Sequence, residues 1–158
     1  MKKLFTAIFL LTAVSLEAQT VTRQLIEGIA YSPAADAGVP FAIEIKLVPF
    51  DKETHKEKSY HGTDETPPYF VCSELSITIN GKKIAIPSEA IADLANITDI
   101  NSPNGEENKT WVMLVSGGEN AGAYEVELVF NDEKLIQRRF VDIFNEGEER
   151  VYYDKKDF

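Results

Sequence analysis

Apolar residues recur along most of this chain at every second position, the spacing of strands buried on one face. Phe41, Ile43, Ile45 and Leu47 alternate with Ala42, Glu44, Lys46 and Val48, and Pro49 ends that strand or marks an edge. Leu75–Pro87 (LSITINGKKIAIP) predicts a hairpin, because Asn80-Gly81 suits a two-residue turn that needs positive φ at both positions. In that register Ile79 faces Lys82, Ile77 faces Ile84 and Leu75 faces Ile86, which puts two apolar pairs on one face. Tyr124, Val126, Leu128 and Phe130 alternate with Glu125, Glu127 and Val129, and Leu135–Phe144 runs back after a turn at Asn131–Lys134. The apolar positions of Leu135–Phe144 leave the register of this second hairpin open. Trp111–Val115 (WVMLV) is apolar on both faces and reads as a central strand with Trp111 in the core, and Val151–Tyr153 is the last strand.

The period changes once. Ser88–Ile97 (SEAIADLANI) reads as a helix: Ser88 suits the N-cap, Glu89 suits the positive end, Ile91, Leu94 and Ala95 share a face, and Asn96 leaves in a left-handed conformation. Three stretches read as loops: Asp51–Pro68, long and charged with a short strand around Tyr60, then Asn101–Asn108 and Ser116–Gly122. The tail Asp154–Phe158 reads as polar and frayed. Parallel sheets need crossovers of about a dozen residues, usually helical, and one short helix cannot supply them. The expected fold is therefore all-β and mainly antiparallel: a β-sandwich or partly open barrel of about seven or eight strands with one short helix.

The start of the chain has a different order. Lys2 and Lys3 precede the apolar run Leu4–Val14, and Ser15–Ala18 then leads into Gln19. This is the order of a cleavable signal peptide, residues 1–18 with the cut after Ala18, and the run is too short to span a bilayer. Residues 19–158 then form a single exported domain, periplasmic or secreted. No cysteine stands at the cut, so no lipid anchor follows and no membrane anchor remains. The formal net charge of −10 becomes −11 once Lys2, Lys3 and Glu17 leave. Such a charge disfavours nucleic acid and mainly keeps an exported protein soluble. Cys72 is the single cysteine, so an intrachain disulfide is impossible.

Three stretches together carry a resemblance: Tyr69–Ile97, Val115–Arg139 and Glu146–Tyr153. With their Asn-Gly-Lys hairpin, following proline, Ala-Asp-Leu segment and Gly-Gly-x-x-Ala-x-x-Tyr strand, they resemble a group of small bacterial secreted β-rich proteins without an assigned activity. The resemblance implies an exported β-rich domain and implies no catalytic residue.

Candidate chemistry is sparse. Cys72 lies in a strand-like stretch without the cationic neighbour or helix start that activates a thiol, and reads as buried and structural. His55 and His61 share one loop with Glu53, Glu57, Asp64 and Glu65, in a spacing that matches no familiar metal site. Asp99, Asn101, Asn104, Glu106 and Glu107 fail the EF-hand pattern, since Asn104 stands where glycine is required. Ser116-Gly117-Gly118 lacks the frame of a nucleophile elbow. No catalytic residue, metal site or cofactor is expected. Tyr60, His61, Tyr152 and Tyr153 are the expected ligand-binding residues, because exposed aromatic side chains favour recognition. The function expected is a non-enzymatic binding module for a protein or glycan partner, with Asp51–Pro68 and Ser116–Gly122 as its loops. The alternatives are a small hydrolase of envelope or extracellular polymers, using carboxylates that converge in the fold, and an inhibitor of a secreted lytic enzyme.

Overall fold

The alternating segments build two antiparallel sheets, each formed by strands consecutive in sequence. The structure, a computed structural model, describes residues 21–33, 38–55, 59–63, 67–106, 109–142 and 148–153, with the backbone alone at 141, 142, 148 and 152. The expected signal peptide (1–18), the tail (154–158) and Glu57, Asp64, Glu65, Glu107 and Asn108 lie outside these residues. Among the described residues no helix is long and apolar enough to cross a membrane.

The first sheet runs β1 (Thr22–Ala30), β2 (Val39–Pro49), β3 (Phe70–Ile79) and β4 (Lys82–Ile84) in that order. The second contains β5 (Ile97–Ile100), β6 (Asn104–Gly105), β7 (Trp111–Gly117), β8 (Tyr124–Phe130), β9 (Leu135–Asp142) and β10 (Glu148–Tyr152). Its order is β10-β9-β8-β7-β5, with β6 also on β7. The inner faces meet in one core, where Ile43, Ile77, Met113, Val126, Leu128 and Phe130 have no exposed surface. The all-β antiparallel sandwich is as expected, and three strands (β1, β5, β6) add to those legible in the sequence.

The Asn80-Gly81 turn forms with φ of 50° and 75°, as the type I′ geometry requires. Ile79 pairs with Lys82 and Ile77 with Ile84. The third expected pair does not form. Ala85 N–H donates to the Glu133 carbonyl and Leu135 N–H to the Ala85 carbonyl, so β4 ends by joining the other sheet while Leu75 pairs with Ile45 in β2. Trp111 is buried in β7, and Val112 and Leu114 are half-buried on its outer face.

The helix expected over Ser88–Ile97 is a correction. Only Ser88–Ala90 forms one 3₁₀ turn, with Pro87 rather than Ser88 at its cap and no side-chain cap bond. The backbone beyond it is committed elsewhere. The Asp93 carbonyl accepts from His61 N–H, Leu94 from Cys72 N–H, Ala95 N–H donates to His61, and Asn96 N–H donates to Phe70. Those groups bond across to neighbouring chain segments, so they are lost to an i→i−4 ladder. Asn96 does adopt the expected left-handed conformation, at φ 48°. Among the described residues the one α-helical turn is α1 (Lys52–His55), in the charged loop.

Candidate binding site at the loop end

The bonds that replace the helix gather the two long loops at one end of the sandwich. Asn96 is the junction. Its side-chain oxygen accepts from Tyr69 N–H (2.9 Å) and Phe70 N–H (3.2 Å), and its amide nitrogen donates to the Gly62 carbonyl at 2.9 Å. Its own carbonyl accepts from Gly118 N–H. Gly62 and Gly118 both have positive φ, and a Cβ on Gly118 would stand 2.7 Å from the Gly62 Cα. Glycine is therefore required where the loops Asp51–Pro68 and Ser116–Gly122 touch.

His61 rests against this junction. Its ring stacks on Phe140 with centroids 3.7 Å apart, and Tyr124 lies at 6.2 Å. Its Nε2 stands 3.5 Å from Asp93 Oδ2, at the outer limit of hydrogen-bond distance. Arg138 Nη1 donates to the same oxygen at 2.9 Å. Arg138 is 7% exposed, an arginine at an inward-facing strand position opposite buried Leu128. Burial alone would raise the Asp93 pKa. The His61 ring and the Arg138 guanidinium outweigh it and hold the carboxyl below its ordinary value. Tyr153 is half-buried against the core, and its pKa is raised by burial, partly offset by Arg138. Among the described residues, Asp93 Oδ1 and Arg138 Nε are buried without a hydrogen-bond partner.

Of the four expected ligand-binding residues, His61 and Tyr153 thus share one cluster, through Asp93 and Arg138. Tyr60 does not join it by any ring contact. Its ring packs edge-on against Phe50 and His55 in a small satellite, and burial raises its pKa. Tyr152 belongs to β10 opposite Gln137, and its side chain lies outside the described residues. Sequence reasoning missed Asp93 and Arg138 as site residues. Tyr69 is 73% exposed and tied through Asn96 to the same junction. An arginine among the apolar residues of β9 is the signal that could have found Arg138, had the register been known.

Two other features bear on chemistry. The Cys72 thiol is buried, and burial pushes its pKa up to about 12, slightly offset by its contact with the Glu74 carbonyl. Burial likewise raises the pKa of Tyr124, whose hydroxyl donates to the Ala95 carbonyl at 3.0 Å. Neither group is a nucleophile that His61 could activate. Among the described residues no three His, Cys, Asp or Glu side chains gather to hold a metal ion. At the opposite end of the sandwich lies a half-open cavity of about 350 Å³ lined by Trp111, Ile79, Lys82, Lys109 and Asp132. Its Lys82 already faces Glu133 at 3.8 Å. A smaller depression on the outer face of the first sheet includes Glu44 and Glu74, and Lys46 holds Glu74 at 2.6 Å. No family model matches the chain, and no curated protein or solved structure matches it either.

Proposed function

We propose that this protein is an exported, non-enzymatic binding module whose protein or glycan partner docks at the loop end around His61 and Tyr69. The order of residues 1–18 supports export. The observation that carries the binding reading is the construction of the surface. An exposed tyrosine and a histidine one-third exposed flank a junction fixed by Asn96, above a carboxylate held by a buried arginine. Such a surface loses little conformational freedom on binding. The hydrolase alternative, which needs two carboxylates converging in one pocket, has less support: of Glu44 and Glu74 in the depression on the first sheet, Glu74 is held by Lys46 at 2.6 Å.

The test is capture from envelope and culture fractions, read by mass spectrometry and followed by a glycan array. The original sequence is compared with Tyr69→Ala and His61→Ala. A saturable partner weakened by either substitution supports the reading. A partner held equally well by both variants places the binding surface elsewhere and overturns it.

A further inference from the structure

β1 is the outermost strand of the first sheet, and among the described residues no strand pairs with its outer edge. Soluble proteins usually shorten, bulge or heavily charge such an edge to prevent further pairing. β1 instead runs nine residues in unbroken register with β2. Its outward-facing positions, continued back by one residue, read Val21, Arg23, Leu25, Glu27 and Ile29. Val21, Leu25 and Ile29 are 48%, 57% and 68% exposed.

That series is complementary to itself when reversed. We propose that β1 of a second copy pairs with this edge, antiparallel, about a two-fold axis through Leu25. Val21 then faces Ile29, Arg23 faces Glu27, and Leu25 faces Leu25, with every pair repeated by the symmetry. The exposed apolar side chains of the strand cover one another, and its two charges meet charges of opposite sign. Neighbouring registers lose this match. An axis at Glu27 sets Glu27 against itself, and one at Arg23 sets Arg23 against itself. Axes at Gln24 or Ile26 place Arg23 against Leu25 or Ile29. In the paired form the two four-stranded sheets become one of eight strands.

The test is sedimentation equilibrium of the purified protein over a wide concentration range, with circular dichroism to confirm that each variant keeps its fold. Arg23→Glu and Glu27→Arg lie at exposed positions, and each alone places like charges in both symmetric pairs. The expected result is a monomer–dimer equilibrium weakened on the order of tenfold by either substitution. Mixing the two variants restores association, because one copy then presents two carboxylates and the other two guanidinium groups. A protein monomeric at every concentration overturns the proposal. So does a dimer unaffected by both substitutions, or a mixture that associates no better than either variant alone.

Discussion

Arg138 Nη1 donates a 2.9 Å hydrogen bond to Asp93 Oδ2, which joins β9 to the segment before β5 across 45 positions of sequence. The guanidinium is almost fully buried, while about a third of the Asp93 side chain meets water. Removing one partner strands the other charge, a larger cost than the pair itself contributes. Arg138→Ala is therefore expected to destabilise the protein by about 2–3 kcal/mol, less than for a fully buried pair because Asp93 can still be hydrated. Arg138→Met, which keeps the apolar stem, should cost less. Urea unfolding of the two variants measures the difference.

The lowered pKa of Asp93 has a definite sign in stability. Its carboxylate form is favoured by folding, so its contribution is complete above the unfolded-state value of about 3.9 and fades as pH falls through the lower folded-state value. Asp93→Asn should therefore be less stable than the original at neutral pH, and the gap should narrow below about pH 4. Urea midpoints measured along a pH series decide this. A gap independent of pH would show that the carboxylate's charge contributes nothing.

Cys72 provides a check on core burial. With its pKa pushed up to about 12, the thiol stays protonated and shielded at pH values where an exposed cysteine ionises. Ellman's reagent near neutral pH should leave the folded protein unmodified and react fully in denaturant. The raised value also means that the stability tied to this thiol is whole below about pH 8.5 and is lost as pH climbs toward the folded-state value.

Asn96 concentrates three side-chain hydrogen bonds on a left-handed backbone. Asn96→Ala removes all three and keeps the unfavourable φ, at an expected cost of about 3 kcal/mol. Asn96→Asp preserves the acceptor for Tyr69 and Phe70, loses the donor to Gly62, and should cost about 1 kcal/mol. Thermal unfolding ranks the two. Equal losses would mean that the backbone conformation, rather than the amide, joins the loops.

Strand periodicity was legible wherever one face was plainly apolar, as in Phe41–Leu47 and Tyr124–Phe130, and the Asn80-Gly81 turn defined its own register. β1 escaped because its alternation runs the other way. Gln24 and Gly28 face inward while Leu25 and Ile29 face water, so the pattern carries no signal of a half-buried strand. The segment 88–97 misled because helical spacing of Ile91, Leu94 and Ala95 also suits a chain that buries side chains in successive turns. Its backbone bonds go to residues 61, 70 and 72, and sequence spacing does not encode such distant partners. The two loops chosen for binding do meet. The Asp93–Arg138 pair beneath them depends on the register of β9, which a bulge between Val129 and Phe130 displaces.

The first sheet is a plain meander, and the second follows sequence order except that β5 and β6 both pair with β7. Most ladders close between strands adjacent in the chain, even where the long connection 50–69 separates β2 from β3, so each layer can be completed largely from its own segments. The main long-range event in folding is then the docking of two finished faces. The stretch from Ala85 to Asn96 joins them, with Ala85 pinned to Glu133 and Leu135 and Leu94 to Cys72. Lesions in that stretch should slow folding more than equal lesions in β2 or β8, because they act on the latch rather than on either leaf.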